Sequence, residues 1–376
     1  MKGILLQLCL FFSLVLTGYS LTATTATSRA MNSEWSILTL DDVDAGFYVH
    51  HSYTAIAVDD ADHVHISYRG PGYDLRYATN ETGCWVTEVV YDVSVNVARE
   101  NSIAVDSSND PHISFSFRDG GNENLMYAKK ITTTWGIETI DDGPSVGMEN
   151  DIAVDDDDKV HISHWQWNGA NLRYATNGSG VWEPGEVANH ASWDRTAIAM
   201  DSHNNPYIVY NDFGAITYAT NLSGTWVITD TELNGSSPAI VIDSNDKIHV
   251  SYASGSDLKY TTNTSGQWET TTIAGGVNPG RYHAIAVDLD NKVHISYYNS
   301  SEGDLEYASN VTGAWLTRKV DTARDVGRSN SIAIDSQGNV HLSYRDDGAN
   351  KLKYATNATA APPTYPVYLP LIMRNS

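Results

Sequence analysis

Short runs in which bulky apolar residues alternate with small or polar ones follow one another along almost the whole chain, separated by clusters of Asp, Asn, Ser and Gly. Alternation with a period of two marks a β-strand that buries one face, and the clusters between runs carry turn chemistry. The runs are themselves periodic. The phrase Ile-Ala-Val-Asp, or a close variant, ends at Asp59, Asp106, Asp155, Asp201, Asp243, Asp288 and Asp335, at intervals of 47, 49, 46, 42, 45 and 47 residues. One repeat of this length makes one propeller blade. The expected fold is therefore all-β: a seven-bladed β-propeller with four antiparallel strands per blade.

Each repeat contains four strand-like pieces. The first alternates bulky and small residues, as Ile285 and Val287 do with Ala284 and Ala286, and small residues suit the crowded strand nearest a propeller axis. The second carries His65, His112, His161, His249, His294 or His341, with Tyr207 in the fourth repeat, and a serine two residues later in the six histidine repeats. A histidine that recurs at one repeat position points to a structural task, with hydrogen bonds toward a neighbouring strand or blade. The third contributes Tyr77, Tyr127, Tyr174, Tyr218, Tyr260, Tyr307 and Tyr354, each two residues after Leu or Ile. The fourth opens with Trp85, Trp135, Trp182, Trp226, Trp268 and Trp315, and the seventh repeat has no such strand. Its pattern occurs at the other end of the chain, around Trp35, so the N-terminal strand is expected to complete the last blade and leave no open seam.

The turns after the first strands are rich in aspartate. An Asp that opens a tight turn accepts from the following amides, and Asn or Gly tolerates positive φ. Asp155-Asp156-Asp157-Asp158 also invites a calcium reading, but a full oxygen cage needs ligands in register, so hairpin chemistry is the preferred account and no cofactor or metal is expected. Sequons at Asn80, Asn177, Asn221 and Asn263 are read as by-products of turns that need Asn, Ser and Gly in any case.

Composition narrows the setting. Met1-Lys2 followed by an apolar run from Ile4 to Leu16 has the form of a secretory leader, too short to span a bilayer. The expected organisation is a signal peptide over 1–20, a Thr/Ala-rich linker over 21–33, the propeller over 34–357 and a Pro-rich tail over 358–376, on a secreted or cell-surface monomer. Cys9 would leave with the leader, and Cys84 alone cannot form an intramolecular disulfide. A net charge of −23 argues against nucleic acid and anionic membranes as partners, and no membrane insertion is expected.

These phrases resemble secreted bacterial seven-bladed propellers loosely grouped with sialidase-like repeats and propeller lectins. The sialidase Asp-box, Ser-x-Asp-x-Gly-x-Thr-Trp, is missing, and Thr220-Asn-Leu-Ser-Gly-Thr-Trp226 only echoes its ending.

Residues that obey the repeat are accounted for by packing, so the candidate site is what remains. Three tryptophans lie outside the fourth strands: Trp165 and Trp167, read as a loop after the second strand of blade 3, and Trp193, in the connection to blade 4. Near them in sequence are His164, His190, Asp194, Arg195 and Phe213, and the connections also bring Arg99, Arg281 and Arg328 toward the axis with Tyr48, His50, His51, Glu100, Tyr282 and His283. Exposed aromatic faces stack on sugar C–H surfaces while Arg, Asp and His bond hydroxyls or an acidic group. The same tryptophans also suit plugging the central opening, and the same arginines suit pairing with local carboxylates. Three functions stay open: a non-catalytic lectin-like protein that binds an extracellular glycan, with an acidic one suggested by the arginines; a polysaccharide lyase or glycoside hydrolase with His164, His190 or His283 as base and Arg195 as charge neutraliser; and a scaffold for a protein ligand. No motif of catalytic specificity is present, which puts binding first.

Overall fold

The computed structural model describes residues 35–43, 54–92, 97–189 and 194–358. Among them are seven sheets of four antiparallel strands and no helix, arranged as the seven blades of a β-propeller. The strand over Ser36–Asp42 pairs with Lys351–Thr356, so the last blade is completed from the N-terminal side as expected. Blades are numbered here by the anchor aspartates, Asp59 in blade 1 to Asp335 in blade 7. The expected leader, the linker and nearly all of the tail lie outside the described residues.

Every blade boundary is sealed by the same aromatic pair. The fourth-strand tryptophan of one blade packs on the third-strand tyrosine of the blade before it: Trp135 on Tyr77, Trp182 on Tyr127, Trp226 on Tyr174, Trp268 on Tyr218 and Trp315 on Tyr260, with ring centroids 4.9–6.0 Å apart. The two remaining pairs, Trp35 on Tyr307 at 5.4 Å and Trp85 on Tyr354 at 4.9 Å, put Trp35 in blade 7 and close the circle. Edge-to-face and tilted rings suit the aromatic quadrupole and add to the area each indole buries.

The recurrent histidine bonds within its own blade. In blade 2, His112 Nε2 lies 2.9 Å from Asp106 Oδ2 and Nδ1 lies 2.6 Å from the Tyr127 hydroxyl. Blades 1, 3, 5, 6 and 7 repeat both contacts, at 3.0–3.3 Å to the anchor aspartate and 2.5–2.6 Å to the tyrosine. One neutral tautomer serves both: Nε2–H donates to the carboxylate and Nδ1 accepts from the phenol. Burial holds all six imidazoles below the ordinary histidine value, against the pull of the aspartate.

The serine two residues later reaches the next blade instead. Ser67 bonds Asn101 at 2.7 Å, Ser114 bonds Asn150 at 2.7 Å, Ser251 meets His283 at 3.0 Å, Ser296 bonds Asn330 at 2.6 Å, and Thr54 closes the ring onto Ser343 at 3.1 Å. On the far face the aspartate turns also touch. Ser107, Ser202 and Ser336 each give both backbone N–H and hydroxyl to an aspartate of the next turn, Asp158, Asp246 and Asp62, at 2.8–2.9 Å. Those aspartates have φ near 60°. In the Asp155–Asp158 run, Asp155 caps two amides and holds His161, Asp157 accepts from Asn204, and Asp158 accepts from Ser107. These carboxylates are thus committed to turn and blade contacts.

Candidate functional site

In blades 3 to 7 the loop after the second strand meets a blade-to-blade connection on one face of the ring. Trp167 N–H donates to Ser145 O at 2.8 Å, Gly235 N–H to Gly214 O at 2.9 Å, Ser300 N–H to Val277 O at 2.9 Å and Asp347 N–H to Asp325 O at 2.9 Å. This is the face on which the sequence placed its candidate residues. The structure sorts those residues into three groups.

The first group is interior. Trp165 belongs to the strand Val160–Gln166, which corrects its reading as a loop residue, and is 3% exposed. Its indole packs against Ile198, Ile208 and Tyr210 of blade 4. His164 is fully buried and faces the opposite boundary, with Gly147 N–H donating to its Nδ1 at 3.2 Å and Nε2 lying 3.7 Å from Asp141 Oδ2. Gly147 has φ +87°, and a Cβ there would lie 2.6 Å from the Leu125 backbone nitrogen, so the close approach needs glycine. His164 stands where blades 1 and 7 have tyrosine. Tyr68 with Arg76 binds Asp41, Tyr344 with Lys353 binds Asp321, and His164 with Arg173 faces Asp141. In each case a buried aspartate ending a fourth strand joins the next blade. Burial lowers the His164 pKa to about 4 and that of His283, also fully buried, to about 3. Neither ring reaches solvent as a base.

The second group is axial and charged. Arg281, entering blade 6, crosses the ring to Glu149 of blade 3 at 2.9 Å and to Asp194, entering blade 4, at 3.4 Å. Arg195 is half-buried and donates to the His283 carbonyl at 2.5 Å. Burial lowers its pKa, against the attraction of Asp151 and Glu149. Asp194 also accepts from the Ser237 amide and hydroxyl, at 2.5 and 2.8 Å. Arg328 stands over the Tyr298 ring and pairs with Asp347 at 3.1 Å. Carboxylates therefore surround the axial arginines. The sequence reading missed Glu149, which sits at φ 48° in a register shift of its strand; no repeat position signals a contact across the axis.

The third group is exposed. Trp167 follows the last residue of its strand and is 44% exposed, and Phe213, in the corresponding loop of blade 4, is 74% exposed. Among the described tryptophans only Trp167 is exposed. Arg99 lies in the first strand of blade 2, Val97–Val105, but its side chain is outside the described residues, as are His190, Trp193, Tyr48, His50 and His51. The structure brings Arg195, Arg281 and His283 together at the axis, pairs Arg328 of blade 7 with Asp347 of the same blade and sets it over Tyr298 of blade 6, and turns His164 and Trp165 away from each other into opposite blade boundaries.

Blade 6 holds a trio of carboxylates, Glu302, Asp304 and Glu306, whose ligand atoms lie within 4.8 Å of one another. Lys319 already bridges Glu302 and Asp304, while Tyr297 and Asn299 donate to Glu306. Among the described residues no helix is long and apolar enough to cross a membrane.

No protein-family model matches this chain, and no curated protein does. Solved structures match its shape. A streptogramin B lyase aligns with a TM-score of 0.59 at 15% identity, over 85% of this chain and 97% of that one. An ulvan lyase of polysaccharide lyase family PL25, bound to a glucuronic acid and sulfated rhamnose repeat, gives 0.56 at 11% identity, over 84% and 94%. The Aleuria aurantia lectin in complex with Fucα1-6GlcNAc gives 0.53 at 14% identity, over 72% and 96%. At these identities the likeness is one of fold.

Proposed function

We propose that this propeller is a non-catalytic carbohydrate-binding protein acting outside the cell, and that it holds its ligand on the face carrying Trp167. The carrying observation is that indole. Of the described tryptophans, it alone is withdrawn from the blade boundaries and turned to solvent, on a loop fixed by its backbone bond to Ser145. An exposed indole on a rigid loop offers a sugar ring a flat apolar partner at low entropic cost. Phe213 in the neighbouring blade extends the aromatic surface.

The charge pattern favours a neutral ligand over an acidic one. Arg281 and Arg328 pair with Glu149, Asp194 and Asp347, and Arg195 lies among Asp151, Glu149 and Asp194, so an incoming carboxylate or sulfate would meet as much repulsion as attraction. Binding rather than cleavage fits the two described candidate bases, His164 and His283, which are enclosed. The lectin and polysaccharide lyase among the structural neighbours are consistent with a glycan ligand without specifying one.

A glycan array probed with the wild type and with Trp167→Ala tests this reading. The expected result is retention of one group of neutral glycans by the wild type and at least tenfold weaker retention by the variant, at an unchanged melting temperature. Equal retention by both proteins, or none by the wild type, overturns it.

A further inference from the structure

We infer that the boundary between blades 3 and 4 contains a built water-binding site that replaces a direct bond found at other boundaries. The serine of the second strand bonds the residue five positions before the next anchor aspartate at five boundaries, as Ser343 does with Thr54 at 3.1 Å. At the boundary between blades 3 and 4 the equivalent residues are Ser163 and Thr196, 0% and 1% exposed. Neither hydroxyl has a hydrogen-bond partner, and the Trp165 Nε1 is also without one.

These three atoms share one boundary. Ser163 and Trp165 are two apart on a strand, so both point the same way, and Trp165 points at blade 4. Thr196 lies two residues before Ile198, part of the surface on which the indole packs. Ser163 and Thr196 make no direct bond at this boundary, where the Trp165 indole also packs. A buried hydroxyl or indole N–H with no partner costs about 1–3 kcal/mol. Two hydroxyls and one N–H supply the two to four polar contacts that hold an internal water. All three atoms are closed to bulk solvent, so the site admits water and excludes a sugar. The bound water ties the strand leading to Trp167 to the next blade, and it stands independently of the carbohydrate reading.

Two measurements decide it. A crystal structure of the wild type should show an ordered oxygen within about 3.2 Å of at least two of these atoms. Oxygen-17 relaxation dispersion should count at least one fewer long-lived water in the double variant Ser163→Ala/Thr196→Val, with a melting temperature lower by roughly 3 °C. A boundary without ordered oxygen overturns the inference, and so does a double variant that keeps both its water count and its melting temperature or melts higher. The crystallographic reading stands even if the double variant does not fold.

Discussion

Blade 4 and the other six blades are built from one phrase and satisfy their polar groups differently. Six blades join the anchor aspartate, a histidine and a tyrosine; blade 4 has Tyr207 stacked against Tyr218 at 6.5 Å, and Asn205 donates to Asp201 in place of the imidazole. Five boundaries carry the serine bond; the two boundaries of blade 4 instead have Val209 and Pro238 at the equivalent positions on one side and Ser163 of blade 3 and Thr196, neither with a partner, on the other. Where six fourth strands bulge around one buried aliphatic, such as Val90, Ile140 or Val320, blade 4 inserts Thr231 and Glu232, the latter at φ 60°. A repeat tolerates a divergent copy because each blade contacts mainly its neighbours. The divergent copy leaves the buried Thr196 and Thr220 hydroxyls and Asn221 Oδ1 without a partner, carries the exposed Phe213, and borders the blade that holds Trp165 and Trp167.

The sharpest contrast within that region is between two tryptophans two residues apart. Trp165→Ala removes a buried indole from the boundary and should destabilise the fold by about 3–5 kcal/mol. Trp167→Ala removes an exposed one and should change stability by at most about 0.5 kcal/mol. Chemical denaturation of both variants checks this. Equal losses would mean that Trp167 is also a packing residue, and the proposed sugar platform would fall with it.

Acid probes the six regular blades. Their imidazoles are held neutral by burial, with folded pKa values below the ordinary 6.5, so the unfolded chain binds more protons as pH falls through that value. The stability they contribute is complete above pH 6.5 and is lost progressively as pH falls below it. His164, at about 4, and His283, at about 3, act in the same direction. Most carboxylates stay ionised above pH 5, so relief of the −23 charge does not mask the effect in this window. The melting temperature should therefore fall between pH 7 and pH 5, and Tyr207→His should steepen the fall. A melting temperature that does not move over this range removes the physical basis of the comparison.

Much of this architecture was legible because it is repeated. Seven anchor aspartates gave the blade count, and the missing seventh tryptophan pointed to Trp35. Six copies of one histidine identified a structural group. The expected partners, on a neighbouring strand or blade, were the right ones: the imidazole bonds the tyrosine of the adjacent strand and the anchor aspartate of its own blade, and the serine bonds the next blade. The site was less legible. Trp165 and Trp167 looked alike as departures from the repeat, but the strand ends at Gln166, and alternation no longer governs where Trp167 points. The arginines looked like a crown because their carboxylate partners come from blades distant in sequence: Glu149 and Arg281 are brought together only by the closed ring. The triad of Asp141, His164 and Arg173 was within reach, since aligning the repeats sets it beside Asp41, Tyr68, Arg76 and Asp321, Tyr344, Lys353.

The smallest effect tests whether blade 4 lost its partners through single substitutions. In blades 1, 3, 5, 6 and 7 the asparagine ending the third strand accepts from the amide that opens the second, as Asn177 does from Val160 N–H at 2.8 Å. Blade 4 has Pro206 at that position, which has no N–H, and the buried Asn221 Oδ1 is left without a donor. Blade 2 also has a proline there, Pro111, but pairs it with Lys130, whose side chain has no oxygen to satisfy. Pro206→Val should restore a hydrogen bond worth about 1 kcal/mol while giving up about 0.4–1 kcal/mol of proline's restriction of the unfolded chain. The net gain is then a few tenths of a kcal/mol, and its sign should reverse in an Asn221→Ala background, where only the loss of proline remains. Urea unfolding of the four proteins of this cycle measures the coupling. A gain that is the same with and without Asn221 would show that proline does not cause the unpaired oxygen.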